Sequence, residues 1–495
     1  MQQLVVEQPE HTWTTGNLSL AGINEGQASH IKGISPLIKL DGFGALLPVI
    51  PGLTPADRQL LADLQPQGLL KDLQFELSSA AGSMQLSDFS VRFSGLGIGE
   101  SGAYPLFTGL DGRISGNLTA GTVALDSYNA SIHNSSLFRD ALSFDRVQGD
   151  IHWLIGEDRT EAGTDALKIS NQDLSLNAKF GVDFPVEEDA ASINLELAVE
   201  HADVGRVQAY LPAGKMSPAA VSWLDDSLKS GAVSNGTVVV NGRFDQLPFD
   251  NGEGRLEVRL PVTGAELHFN PGWSPLTQIN AQVGFTGRSM DILGSTALMR
   301  TAELENIHVQ IEDLASPVLT IKGNASGDLP VMLAELGSST LGETYGGFVD
   351  SVTTSGPASL ALDISLPLTE TRQEVQVSGK IQLGDNTLSI NDTEFELRQI
   401  KGRLDFDSNG IKGKQLQAKL FDRAVVANVW TDAGATHITL DGRLGVLDRY
   451  VPKDNAIGAA ISGGSDWHVL VVVRGMPARG KQANVDVVVK ADRGG

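Results

Sequence analysis

The sequence predicts an all-β fold: an elongated, curled antiparallel sheet forming a long hydrophobic groove, with a few short helices. Three observations predict it. Apolar and polar residues alternate with a period of two in stretch after stretch, the signature of strands with one apolar face. The 55 glycines, against 6% aromatic residues, favour many turns over a few large cores. Only a handful of short helical patterns accompany roughly 25 strand-like segments, too few to cover the apolar faces as an α/β fold would. The sheet must cover itself or be covered by a ligand. A long antiparallel sheet that twists and curls makes a trough, with glycines and bulges supplying the curvature. At ~4.8 Å per strand it would extend on the order of 120 Å.

Taken in order, Trp13 to Leu20 reads as a strand. Phe43 to Leu53 is an apolar loop broken by Pro48 and Pro51, leading to Thr54 as N-cap and Pro55 at the start of a helix to about Leu64. Leu73, Phe75 and Leu77 resume the alternation. Val123 to Leu125, Val147 to Leu154, Leu174 to Val182 and Ile193 to Val199 continue it.

A second helix is predicted over Ser217 to Lys229, with Ser217 as N-cap, Pro218 in the first turn, Val221, Leu224 and Leu228 on one face, and Gly231 as the stop. From Gly236 onward the chain reads as sheet. Leu256, Val258 and Leu260 alternate in one strand, and Val283 and Phe285 in another. A brief helix opens at Asp328 with Pro330 in its first turn. Leu360, Leu362, Ile364 and Leu366 then alternate cleanly with Ser359, Ala361, Asp363 and Ser365, and Val375, Val377, Ile381 and Leu383 follow. Further strands run at short spacing to Val485 to Val489. The organisation expected is one continuous domain: residues 1–200 as the first part of the groove, 201–235 as a helical insertion, and 236–495 as the groove continued.

Composition limits function. A net charge of −23 argues against nucleic acid or an anionic membrane face as partner. The absence of cysteine excludes disulfides, thiol catalysis and cysteine zinc sites without choosing a compartment. No apolar run approaches the ~18 residues of a membrane span, and Met1 to Glu10 lacks the order of a signal peptide.

Catalytic patterns fail. No nucleophile elbow, P-loop or H-E-x-x-H occurs. Gly97, Gly99 and Gly102 match G-x-G-x-x-G, but Ala103-Tyr104-Pro105 stands where a helix should open, so a glycine-rich turn is expected. Asp405, Asp407, Asn409 and Gly410 imitate a calcium loop, yet Leu416 occupies the position of its bidentate Glu; a hairpin turn at Asn409-Gly410 is the better reading. The nine histidines are scattered, and Asp225 and Asp226 diverge around a helix as a solvated face. Lys401 to Arg403 and Lys412 to Lys414 read as solubilising edge charges. No enzyme, metal or cofactor is expected.

Several words of sequence carry a family resemblance: Tyr210-Leu211-Pro212, Trp223-Leu224, Gly231, Leu247-Pro248-Phe249, and Asn270-Pro271-Gly272-Trp273 ahead of a strand ending at Gly287. Together with Leu61 to Leu70 and Ile169 to Leu176 they resemble the central region of the YhdP family of AsmA-like envelope proteins, over nearly the whole chain. Ser274 between Trp273 and Pro275 departs from the family's usual Trp-Pro. The resemblance implies a periplasmic β-rich body anchored to the inner membrane, carrying phospholipid towards the outer membrane. The family continues past both ends, so the chain reads as a fragment. Under this reading Leu256, Val258, Leu260, Leu360, Leu362, Ile364, Leu366, Val375, Val377, Ile381 and Leu383 line the groove and touch acyl chains. The alternatives are a scaffold for outer-membrane proteins, as proposed for the similar TamB relatives, and an unrecognised hydrolase.

Overall fold

The computed structural model describes residues 2–8, 11–25, 28–41, 55–80, 83–99, 105–186, 190–338, 350, 352–369, 375–391, 396–420, 422–432, 435–444, 465–474 and 484–492. The expected Phe43 to Leu53 loop, its Thr54 cap, and Gly102, Ala103 and Tyr104 of the expected glycine-rich turn lie outside them. Among the described residues, 26 strands belong to one sheet and three α-helices accompany them. The chain divides into two compact units. The first is Met1–Asp226, Ser230–Pro261 and Gly284–Gly287; the second is Ser227–Lys229, Val262–Val283 and Arg288–Gly495.

The first unit holds β1 (Gln2–Gln8), β2 (His11–Glu25), β3 (Ala28–Lys39), β4 (Gln67–Ala80), β5 (Ser83–Ile98), β6 (Leu106–Gly116), β7 (Ala120–His133), β8 (Leu142–Ile155), β9 (Arg159–Ser170), β10 (Leu174–Pro185), β11 (Ser192–Asp203) and most of β12 (Leu228–Arg243). Each pairs antiparallel with the next. Helix α1 (Pro55–Leu64) precedes β4 and α2 (Pro218–Ser227) precedes β12. Hairpin tips are closed by asparagine side chains. Asn117 Oδ1 accepts from the amides of Thr119 and Ala120, and Asn171 Oδ1 from those of Asp173 and Leu174.

Strands β13 (Arg255–Leu267) and β14 (Leu276–Thr286) contribute to both units. The second unit continues with β15 (Ser289–Met299), β16 (Ala302–Ile311), β17 (Val318–Asp328), β18 (Val352–Ser355), β19 (Pro357–Pro367), β20 (Gln376–Ile390), β21 (Glu396–Asp407), β22 (Gly410–Leu420), β23 (Arg423–Asp432), β24 (Ala435–Leu444), β25 (Ser465–Arg474) and β26 (Asn484–Asp492). Pairing is again antiparallel from neighbour to neighbour, except that β17 pairs with β19 while β18 pairs with β20.

Helix α3 (Leu329–Ser338) follows β17 directly, and its Leu329 and Met332 pack on the core of this unit. Glu335, 4% exposed, anchors it: the amide and hydroxyl of Ser274 donate to its carboxylate at 3.1 and 2.9 Å, and Arg300 pairs with it. The residue that departs from the family pattern thus holds a helix in place.

Two local expectations are corrected. Helix α2 ends at Ser227, not at Lys229, because Leu228 already opens β12; Gly231 is therefore a strand residue, with φ of 129°. The β21–β22 turn is Ser408-Asn409, with Asp407 paired to Gly410 across it, and the Asp407 carboxylate accepts from the Asn409 amide at 2.7 Å.

Curvature has an identifiable source. Residues in the left-handed region interrupt strand after strand, among them Asp72, Gly95, Asn129, Asn235, Gln278, Gln399 and Gln415, each with φ between 52° and 61°. Such a residue marks a β-bulge, where the extra residue bends the strand and increases its twist. A bulge also frees an amide from the ladder, and a freed amide takes another acceptor where one is in reach. Polar side chains from the next strand, or in the case of Gly384 from the same one, supply the acceptors. The Gly95 amide donates to Asp111 Oδ1 at 3.0 Å, and the Asp111 amide to Ser127 Oγ at 2.9 Å, while Ser127 Oγ donates back to the Asp111 carbonyl. In the second unit the Gly264 amide donates to Asn280 Oδ1, Asn280 Nδ2 to Thr296 Oγ1, and the Gly384 amide to Asn386 Oδ1. Ser127 and Asn386 are 0% and 1% exposed. Ser127 and Asn386 are thus buried polar groups of the bulge line, whereas the glycines Gly95, Gly264 and Gly384 that donate along it are exposed.

Candidate functional site

The feature with the clearest functional potential is the apolar face of each unit. In the first, register places Leu125, Gly149, Leu167, Ala178, Leu197 and Val238 side by side across β7 to β12. Of these only Leu125, Leu167 and Ala178 are fully buried. In the second unit one row runs Ile292, Val309, Ile321, Ile364, Val377. Another runs Ala325, Leu360, Ile381, Leu404, Gly413, Val429, Ile438.

Strand β19 shows how sharply the two faces differ. Leu360, Leu362 and Ile364 are half-buried, whereas Ser359, Ala361 and Asp363 are exposed. On the outward face Lys322 Nζ lies 3.4 Å from Asp363. On the other, Leu362 stands between Gly323 and Gly379, and Ile364 between Ile321 and Val377. Leu366 pairs with Leu319, and Leu383 is 7% exposed within the core cluster beside Ala358 and Leu397. Val375 lies one residue before β20 and is 48% exposed. The structure thus brings Leu360, Leu362, Ile364, Leu366, Val377, Ile381 and Leu383 onto one face of the second unit. Leu256, Val258 and Leu260, all half-buried, lie in the first unit, with Leu260 Cδ2 against Gly236.

Charges are kept on the outward face. Arg255 forks onto Glu257 with two bonds of 2.8 Å, which holds the Glu257 carboxyl below its ordinary range. His308 and Asp291 pair across β15 and β16 at 2.6 Å. Lys401, Arg403, Lys412 and Lys414 are exposed. Asp225, expected on a solvated face, is instead held by Arg139 at 2.6 Å. Among the described residues no group of three or more His, Asp or Glu is placed to hold a metal ion, and no helix is long and apolar enough to cross a membrane.

Sequence reading missed the bulge ladder of Asp111, Ser127, Asn280 and Asn386. A signal for part of it exists: Gly95, Asp111 and Ser127 recur at sixteen-residue intervals, as do Gly264, Asn280 and Thr296.

Comparison with known proteins places this architecture. The YhdP protein family matches residues 1–493. The chain is 21% identical over 473 residues to the intermembrane phospholipid transporter YhdP of Escherichia coli (strain K12), covering 92% of this chain and 36% of that protein. The chain therefore spans about a third of the length of the curated relative that it matches. No solved structure matches.

Proposed function

The chain belongs to the YhdP family, and on that premise we propose that it forms part of a periplasmic bridge that carries phospholipid between the inner and outer membranes. Acyl chains lie on the half-buried apolar face of each unit, and the head group stays in solvent at its open side. Diffusion along the face moves the lipid, and no residue does chemistry.

The observation that carries this reading is the strand-to-strand continuity of the apolar rows, such as Ile292 to Val377, with ion pairs such as Lys322–Asp363 confined to the opposite face. Energetics give the continuity its purpose. At ~0.8 kcal/mol per buried methylene, exposing a chain of about 16 carbons to water costs roughly 13 kcal/mol, so a lipid travels only where apolar cover is unbroken. A phospholipid transporter among the relatives supports the choice of cargo.

Mass spectrometry of organic extracts of the purified protein tests it. Phospholipid should be recovered in amounts comparable to the protein. Folded protein that yields none, after expression in cells with ordinary membranes, would refute the proposal.

A further inference from the structure

Side chains on a strand normally stand roughly perpendicular to the sheet. Four aromatic rings on the apolar face do not; one of them, Phe93, whose Cζ lies 2.7 Å from the Cβ position of its cross-strand partner Gly112, is 3% exposed and belongs to the packed core, and the other three are half-buried. The far edge of the Phe75 ring occupies the place where a Cβ on Gly33 would sit, with Cζ, Cε1 and Cε2 at 2.1, 2.3 and 2.7 Å from that position. Trp153 Cη2 and Cζ2 lie 2.1 and 2.2 Å from the corresponding position on Gly121, and Phe406 Cζ and Cε1 lie 2.5 and 2.6 Å from that on Gly379. Each glycine is the registered cross-strand partner of its ring.

A Cβ stands only one bond above the backbone. A ring whose far edge reaches that height lies along the sheet instead of rising from it. Protein interiors are close-packed, so the height these rings give up must be filled by something else if the face is to be dry. Phe75, Trp153 and Phe406 all remain half-buried, so none is sealed in a dry core.

We propose that Gly33, Gly121 and Gly379 are positioning residues of the lipid path: each provides a seat that holds a bulky ring down and keeps clearance above the face for an acyl chain. This rests on the lipid-carrying reading above. A methyl group at the seat would lift the ring into the path. Gly33 is the cleanest case, because the three atoms nearest its absent Cβ all belong to the Phe75 ring.

The experiment uses the whole protein and labelled phosphatidylethanolamine passing from donor to acceptor vesicles of phosphatidylethanolamine and phosphatidylglycerol. Gly33→Ala should slow transfer about tenfold, which a barrier higher by only ~1.4 kcal/mol produces. Phe75→Leu added to Gly33→Ala should restore transfer to the level of Phe75→Leu alone, since it removes the ring that was lifted. A purely structural glycine would give no such rescue. Folded Gly33→Ala with wild-type transfer, or a double variant as slow as the single one, overturns the inference while leaving the lipid reading intact. Wild-type protein that neither retains nor transfers lipid overturns both. Should Gly33→Ala not fold while Gly33→Ala with Phe75→Leu does, the seat serves stability and the inference is overturned; Gly379→Ala is no substitute, because its Cβ would also meet the Ala361 carbonyl oxygen at 2.7 Å.

Discussion

Arg139 grips Asp225 with two bonds, Nη1 to Oδ2 at 2.6 Å and Nη2 to Oδ1 at 3.0 Å, and the same Nη2 donates to the Gln208 carbonyl at 2.8 Å. The turn after β7 is thereby tied to α2 and to the segment leading into it. Planar guanidinium and carboxylate match edge to edge, which fixes orientation as well as distance.

The pair makes the α2 anchorage pH-dependent. The hydrogen bond from Arg139 holds the Asp225 carboxyl below the ordinary aspartate value, outweighing the opposing effect of desolvation. A depressed folded-state pKa contributes stability that is present above the ordinary value and lost as pH falls through the lower folded value. Amide exchange in α2, corrected for the intrinsic pH effect, should therefore accelerate on acidification below about pH 4. In Asp225→Asn it should be fast at neutral pH already and show no further rise across that window. A wild-type slope in the Asn variant would mean that another group carries the effect.

The bulge ladder predicts a stability defect with no apolar contact involved. Ser127→Ala removes the acceptor of the Asp111 amide at a wholly buried site. An orphaned buried donor costs about 1–3 kcal/mol. Urea unfolding should show a loss of that size, and Ser131→Ala, on the same strand but joined by its hydroxyl to Thr108 at an exposed position, should cost much less. Equal effects would remove the ladder from the account of the sheet's curvature.

Helix α2 gives a third expectation. Its Leu224 is half-buried, while the adjacent Trp223 is 45% exposed. Leu→Ala at fully buried sites costs 2–5 kcal/mol; for a side chain that keeps part of its surface in water, Leu224→Ala should cost about 1–2 kcal/mol. A loss above that range, measured by denaturant unfolding, would place Leu224 in a tighter environment than its exposure indicates.

Strands were legible because alternation is a local property. Leu360 to Leu366 could be assigned a face from sequence, and the Ser217 cap could be named before its hydroxyl was seen to accept from the Ala220 amide at 3.2 Å. What escaped was whatever depends on the neighbouring strand. A bulge inserts one residue and shifts the alternation, so Ser127 and Asn386, polar by type, turn inward: Ser127 accepts from the Asp111 amide of the strand before it, and Asn386 accepts from Gly384 in its own strand while donating to the Ser355 carbonyl of β18. The end of α2 escaped for a related reason. Residues just past it, such as Ala232, pair with Asp203 at the end of β11, and this tertiary pairing overrides the helical pattern that Leu228 would extend. Glycine seats are likewise invisible in one strand alone: Gly379 acquires its meaning only from Phe406, in the strand beside it.

The sharpest test of the path lies at two adjacent residues. Leu362 and Asp363 are neighbours in β19, yet Leu362 is half-buried between Gly323 and Gly379 while Asp363 is exposed and paired with Lys322 on the other face. Successive side chains on a strand point to opposite faces. A photoreactive side chain at Leu362 should therefore capture phospholipid in cells, and one at Asp363 should not. Leu362→Glu should in addition impede transfer by the full-length protein, because a carboxylate at one point of a serial path breaks its apolar cover. If the face were a dry core instead, Leu362→Glu would unfold the region and no position would capture lipid. Equal labelling at the two sites, or none at Leu362 in folded, functional protein, would remove β19 from the lipid path.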